Sequence, residues 1–108
     1  MSVDIFCGFP YNITSYGLLC HLICNTVNAD STYTGPKIMA GNLTIHLGDY
    51  HLYEQHYDQA VTQLLRTPFE FPKINLKNTY PDISKYTFDD LEVTNYKSHQ
   101  NIVAKMVA

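Results

Sequence analysis

The chain has 108 residues, a length at which two independent domains are not expected, because single domains usually span about 100–200 residues. Apolar residues make up 45% of the sequence, which excludes a disordered chain, and a net charge of -3 argues against a nucleic-acid-binding module with a basic face. Charged residues make up only 16%, against about 25% in a typical soluble domain, so we expect part of the surface to be covered by something else.

The first predicted elements are a strand and a long helix. Apolar residues alternate along residues 3–9, which predicts a strand with one buried face that ends at Pro10. A helix is predicted from Asn12 over residues 12–27, where polar side chains form only a narrow stripe. A helix this apolar is expected to be buried on most sides, at the centre of the fold.

The rest of the chain predicts further strands, one more helix and connecting loops. In chain order we expect a loop over 29–41, a strand over 43–53, a helix over 55–66, a strand over 69–76 interrupted by a proline, and a strand over 91–96. This order indicates an α/β or α+β fold, with a mixed sheet packed on the long buried helix. The first strand has no partner before it in the sequence, so the fold is expected to be incomplete. Expressed alone, the chain should aggregate or form oligomers through its exposed strand edges.

The cysteines and histidines show no spacing typical of a metal site. Cys7, Cys20 and Cys24 are an odd number without a CxxC pair, which indicates free thiols in a reducing cytoplasm. The five histidines lack the matched spacing of metal ligands, so no metal is predicted. The sequence also has neither a signal peptide nor an apolar run long enough to span a membrane, and we expect a cytoplasmic protein.

Two short groups of residues are candidates for binding. Asn12 follows a Gly-Phe-Pro-Tyr turn, where its side chain could either cap the helix or recognise a ligand. His51 and Tyr53 lie two residues apart on a predicted strand and therefore face the same side. Their polar rings could donate hydrogen bonds to a sugar hydroxyl, or they could form a half-exposed strand surface.

Both groups belong to longer motifs that resemble one family. Residues 3–16 read VDIFCGFPYNITSY and resemble the thymidylate synthase pattern R-S-x-D-x-F-x-G-x-P-F-N-I-x-S-Y, whose serine is matched by Ser2. Residues 48–53 read GDYHLY and resemble the family's G-D-x-H-x-Y, and residues 95–99 and 105–108 resemble its C-terminus, including that of some viral members. The resemblance extends over nearly the whole chain, apart from extra residues in the 29–41 loop.

The resemblance implies a reaction and a set of nucleotide contacts. Family members are homodimers that methylate dUMP reductively to dTMP with 5,10-methylenetetrahydrofolate. By this resemblance Asn12 would bind the uracil ring, His51 and Tyr53 the 3′-hydroxyl of the deoxyribose, and Ser2 the phosphate. The amide of Asn12 offers one donor group and one acceptor, which is what the edge of uracil requires.

The resemblance also implies a folate-binding region. Asp4 and Gly8 would face the folate, and Tyr11 would line the same region together with Cys7, where the family usually has Phe and Leu. The last two residues, Val107 and Ala108, would form a C-terminal flap that closes over the ligands and excludes water.

The sequence departs from the family at the residues that carry out the reaction. The nucleophilic cysteine of the family lies in a Pro-Cys segment upstream of residue 1, and Met1 stands where the family has a phosphate-binding arginine. We therefore expect no catalytic nucleophile in this chain and a requirement for an N-terminal half, with the chain being a part of a split enzyme, an artificial fragment or a relic.

Two alternatives remain beside a synthase. The first is a deoxyuridylate or deoxycytidylate hydroxymethylase, because the long 29–41 loop resembles a feature of those enzymes. Against the cytidylate enzyme stands Asn12, where that enzyme has Asp. The second is a non-catalytic binding or structural remnant of the same fold.

Overall fold

The computed structural model describes residues 2–107 and contains helices and strands in alternation. The main elements are β1 Val3–Asp4, α1 Phe9–Ala29, β2 Tyr50–His51, α2 Tyr57–Leu64, β3 Lys73–Leu76 and β4 Leu91–Thr94. Single 3-10 turns cover Glu54–His56, Ile83–Lys85 and Phe88–Asp90. The predicted class, a mixture of helices and strands, is confirmed. Among the residues described, the strands form two separate pairs, β1 with β2 in parallel and β3 with β4 antiparallel.

The N-terminal strand is much shorter than the alternation predicted, and the helix begins earlier. Strand β1 ends at Asp4, a turn follows, and Gly8 caps a helix whose first residue is Phe9. Pro10 therefore lies in the first turn of α1 and does not end a strand. A proline is tolerated there because the N–H groups of the first turn have no partner within the helix.

Helix α1 is not buried on most sides, which corrects the prediction from its composition. No residue of this helix is buried within the chain. Its half-buried face includes Leu18 and Asn25, and the Asn25 amide donates to the Asn78 carbonyl oxygen at 3.1 Å and to the Tyr86 hydroxyl at 3.0 Å. The opposite face carries an exposed apolar stripe at helical spacing, formed by Tyr16, Leu19 and Ile23. We call these three residues the α1 stripe.

The segment between α1 and β2 forms no strand over residues 43–47, although its residues alternate as a strand would. No neighbouring strand among residues 2–107 offers a backbone ladder there, and only Tyr50–His51 pairs. The start of the segment is fixed by Asn28, whose Nδ2 donates to the Ile38 carbonyl oxygen at 2.7 Å. The Ile38 N–H in turn donates to Asn28 Oδ1 at 2.8 Å.

Strands β3 and β4 pair over their full length, and Asp90 organises the connection between them. Lys73 pairs with Thr94 and Leu76 with Leu91. The Asp90 carboxylate is buried and accepts hydrogen bonds from Asn78, Tyr80 and Thr87, the first of them 2.6 Å long. These bonds hold the pKa of Asp90 below its usual value, chiefly through the Asn78 amide and the Thr87 N–H.

The described residues do not enclose a hydrophobic core. None of their apolar side chains is buried, and the buried residues are His56 and Asp90. The accessible surface is 9009 Å², whereas a folded monomer of 12.4 kDa exposes about 6,100 Å². The radius of gyration is 17.3 Å, against about 13 Å for a compact domain of this size. Across residues 2–107, no helix combines the length and hydropathy that crossing a bilayer requires.

Candidate functional site

Strands β1 and β2 bring together the two sequence groups singled out for binding. Val3 pairs with Tyr50 and Asp4 with His51, in parallel. The Val3 N–H donates to the carbonyl oxygen of Asp49, and the N–H of Ile5 donates to that of His51, both at 3.0 Å. Asp4 therefore lies directly beside His51, so that the N-terminal group and the group near position 51 share one region of the structure.

The turn after β1 fixes the side chain of Asp4. Its Oδ1 accepts hydrogen bonds from the N–H groups of Phe6 at 3.0 Å and Cys7 at 3.1 Å. The Gly8 N–H donates to the Asp4 carbonyl oxygen at 3.1 Å. A Cβ atom at Gly8 would lie only 3.3 Å from that oxygen, so glycine permits the close approach of the two residues. Asp4 and Gly8 are thus close neighbours.

Asn12 does not cap the helix, because α1 already begins at Phe9. Its N–H donates to the Gly8 carbonyl oxygen at 3.2 Å, as an ordinary helical residue's does. The Asn12 side chain is exposed, and the neighbouring Tyr11 ring is 77% exposed. The N-cap alternative for Asn12 is therefore wrong, and its amide is free of that structural role.

His51 and Tyr53 lie together, as their spacing predicted. Their ring centroids are 4.5 Å apart with an interplanar angle of 75°. The Nε2 atom of His51 is buried and has no hydrogen-bond partner within residues 2–107. A buried polar atom without a partner is costly, so this nitrogen, like Thr26 Oγ1 and Gln59 Oε1, would be stabilised by a hydrogen-bond partner from outside these residues.

His56 connects this region to the C-terminal segment, a role that sequence reasoning missed. The side chain is 1% exposed, its Nε2 lies 2.8 Å from the Lys105 carbonyl oxygen, and its ring lies 5.8 Å from that of Tyr53. One weak signal was present in the sequence, a histidine at the start of an amphipathic helix. Its contact with Lys105 joins residues that are 49 positions apart in the sequence, so no local pattern predicts it.

An open groove of about 670 Å³ lies between the start of α1 and the C-terminal segment. One wall includes Cys7 and Tyr11, and the other includes Ile102 and Met106. The C-terminal wall is also held at Gln100, whose carbonyl oxygen accepts a hydrogen bond from Nη1 of Arg66 at 2.8 Å. The groove has the size of an ordinary small-molecule site, about 300–1,000 Å³.

The remaining predicted residues lie at the two ends of the described chain. Ser2 is exposed just before β1, and Val107 is 37% exposed after the groove wall. Ala108 lies outside the described residues. Of the three thiols, Cys7 is half-buried beside Asp4, and burial followed by the Asp4 charge raises its pKa. A thiol with a raised pKa is a weaker nucleophile at neutral pH.

Comparison with known proteins identifies the family and the fold. A model of the thymidylate synthase family matches residues 1–108. The structure is similar to that of the thermostable thymidylate synthase A from Bacillus subtilis, with a TM-score of 0.73 and 24% sequence identity. The match covers 97% of this chain but 34% of that protein, so it establishes a shared partial fold. Because the family match extends over the whole sequence, this chain belongs to the thymidylate synthase family.

Proposed function

We propose that this chain is the dUMP- and folate-binding C-terminal part of a thymidylate synthase, which methylates dUMP reductively to dTMP. The observation that carries the proposal is the buried, unpartnered Nε2 of His51, held beside Tyr53 and against strand β1. A hydroxyl group of a bound deoxyribose would satisfy this nitrogen. The same strand pairing brings the Asp4 segment alongside, so that one site could serve both ligands.

Nucleotide binding is divided among four residues. His51 and Tyr53 bind the 3′-hydroxyl, and Ser2 reaches the phosphate. Asn12 accepts a hydrogen bond from the N3–H of uracil through Oδ1 and donates one to O4 through Nδ2. The exposure of the Asn12 side chain at the start of α1 supports this role, because an amide that capped the helix would not be available.

We assign the folate to the groove beside α1, which has the volume of an ordinary small-molecule site. When bound, 5,10-methylenetetrahydrofolate supplies the one-carbon unit and the hydride. Asp4 is held in place by two backbone N–H groups and binds polar atoms of the pterin, and Gly8 allows the close packing of the turn that holds Asp4. The exposed ring of Tyr11 offers a flat apolar surface in the groove, and Val107 with Ala108 closes over the ligands.

The nucleophile comes from an N-terminal half that supplies the family's Pro-Cys segment. Covalent catalysis requires a thiolate that adds to C6 of dUMP and makes C5 nucleophilic. Cys7 does not suit this role, because its pKa is raised. The surface exposed beyond that of a compact monomer is about 2,900 Å², comparable to one side of a large obligate interface. This excess supports assembly with the N-terminal half and with a second copy.

The test combines the chain with an N-terminal half and measures dTMP formed from dUMP and methylenetetrahydrofolate. We expect turnover, and we expect His51→Ala to raise the KM for dUMP by about 5- to 150-fold, since one buried hydrogen bond is lost. His46→Ala is the matched control, because His46 is exposed on the irregular segment before β2. A folded complex that forms no dTMP would exclude the activity.

A hydroxymethylase is the second candidate, favoured by the long irregular segment between α1 and β2. Such an enzyme uses the same folate and thiolate but adds water in place of the hydride. Asn12 favours uracil over cytosine, so the expected substrate is dUMP in either case. Analysis of the product separates the two candidates, since one yields a 5-methyl and the other a 5-hydroxymethyl pyrimidine.

A non-catalytic remnant is the third possibility, and binding data test it directly. Calorimetry with dUMP on the assembled protein should show micromolar affinity if the site is maintained. The retention of Asn12, His51 and Tyr53 together supports the enzyme. Loss of dUMP binding in a well-folded assembly would favour the remnant.

A further inference from the structure

Three metal-binding side-chain types meet beside the groove. One ligand atom each from Asp4, Cys7 and His56 lies within 4.8 Å of the others. The Cys7 sulfur is 3.9 Å from Nδ1 of His56 and 4.0 Å from Nε2. No metal was predicted from the spacing of the cysteines and histidines, and these three residues come from two distant segments that form no spacing motif. The proximity arises only when β1 pairs with β2.

The hydrogen bond to Lys105 determines which nitrogen of His56 can bind a cation. Nε2 lies 2.8 Å from a carbonyl oxygen, which can only accept, so Nε2 carries the proton. In the neutral ring Nδ1 then holds the free lone pair, 3.9 Å from the Cys7 sulfur. Metal-binding histidines commonly show this arrangement, in which one ring nitrogen donates to a carbonyl oxygen and the other binds the ion.

The charges of the group favour a cation. Asp4 is adjacent to the half-buried Cys7 thiol, and one ligand atom of each lies within 4.8 Å of the other. A divalent ion would compensate both the carboxylate and a thiolate, and its binding would release the thiol proton to solvent.

We propose that Asp4, Cys7 and His56 form a three-ligand site for a thiolate-preferring divalent cation such as Zn²⁺, with a fourth position open to water. Tetrahedral Zn²⁺ bound to sulfur and nitrogen at about 2.0–2.3 Å separates its ligand atoms by about 3.5 Å. Since the three atoms lie within 4.8 Å of one another, they would need to approach by about 1.3 Å at most. One oxygen of Asp4 is held by backbone N–H groups, which orients the carboxylate toward Cys7.

Occupation of the site has a consequence that rests on the proposed function. A cation bound to Asp4 occupies the carboxylate that the folate needs, so Zn²⁺ would compete with folate for this region. It would also hold His56 and, through it, the C-terminal segment at Lys105.

The experiment titrates the full 108-residue chain with Co²⁺ and follows the thiolate-to-cobalt charge-transfer absorption, which does not depend on activity. We expect one equivalent of Co²⁺ to produce this band and Zn²⁺ to abolish it. Cys7→Leu should remove the band and weaken Zn²⁺ binding at least 100-fold. Its folding is checked by circular dichroism, and leucine is the residue that the resemblance gives for this position. Asp4→Asn should weaken binding about 10-fold or more.

The other two thiols provide the control. Cys20→Ser and Cys24→Ser should each leave the band unchanged, because these residues lie on α1. A wild-type chain without the band, or a band that persists in Cys7→Leu, would overturn the proposal. Either result would leave the dUMP and folate sites untouched, so failure of the metal site and failure of the proposed function remain distinguishable.

Discussion

The imidazole of His56 donates a hydrogen bond from Nε2 to the carbonyl oxygen of Lys105, across 2.8 Å, and is itself 1% exposed. This bond ties the start of α2 to the segment that precedes the proposed C-terminal flap. The bond therefore restrains the backbone two residues before Val107, which is proposed to belong to that flap.

We expect His56→Ala to release this segment. One buried hydrogen bond contributes about 1–2 kcal/mol, so amide hydrogen exchange over residues 102–107 should become about 5- to 30-fold faster. His46→Ala serves as the control, since His46 is exposed and lies on a different segment. Unchanged exchange rates in His56→Ala would show that the bond does not restrain the C-terminus.

We expect Asn12→Asp to change which pyrimidine is accepted. An aspartate at this position accepts hydrogen bonds but offers none in its ionised form, which leaves O4 of uracil without a donor. The kcat/KM for dUMP in the assembled protein should fall by about 100-fold, and dCMP should become the better substrate. The measurement is turnover of both nucleotides with each variant. If the Asn12→Asp variant still prefers dUMP, the Asn12 side chain does not determine which pyrimidine base is bound.

The stability of the β3–β4 unit should depend on pH through Asp90. The folded-state pKa of this carboxyl lies below its unfolded value of about 3.9. Its contribution to stability is therefore fully present above that unfolded value and is lost as the pH falls through the folded pKa.

We accordingly expect Asp90→Asn to lower the Tm at pH 7, with the difference from wild type shrinking in acid. Thermal unfolding of both proteins, followed by circular dichroism from pH 7 into acid, tests whether the difference in Tm shrinks. Asp89→Asn is a neighbouring control, because Asp89 is exposed. A difference in Tm that grows toward low pH would contradict the assignment.

The α1 stripe should drive self-association of the isolated chain. Ile23 is 47% exposed, and burying such a side chain contributes about 1.5–3 kcal/mol. Analytical ultracentrifugation should show oligomers of the wild type, and Ile23→Asp should weaken the association about 10-fold or more. His21→Asp, on the opposite side of α1, should have little effect. A wild-type chain that sediments as a monomer would contradict the expectation.

The elements that the sequence predicted well are those stabilised within this chain. Helix α2 and strand β4 formed where the periodicity placed them, because β4 pairs with the nearby β3 and α2 continues directly from a 3-10 turn. Residues 43–47 carry an equally clear alternation but form no strand. Alternation of apolar and polar residues predicts which face of a strand would be apolar. The strand itself forms only when a neighbouring strand offers backbone N–H and C=O groups to pair with.

The candidate site was predictable where the signal was local. His51 and Tyr53 face one side because a strand repeats every two residues, and the structure places their rings together. The contacts of His56 with Cys7 and Lys105 were not predictable from spacing, because each joins segments far apart in the chain. Asn12 was considered as a possible cap because Pro10 was expected to end a strand. In the structure this proline lies in the first turn of α1, and the helix begins at Phe9.

The β1–β2 pairing has one more consequence, for how nucleotide affinity should be interpreted. Each strand contributes only two residues, and a two-stranded pair of this kind is marginally stable by itself. A ligand that requires the closed pair encounters only the molecules in which it is closed, so the apparent Kd rises by the inverse of that fraction. The apparent Kd for the nucleotide, measured at increasing concentrations of a polypeptide that stabilises the pair, would therefore report the fraction of molecules in which β1 and β2 are paired.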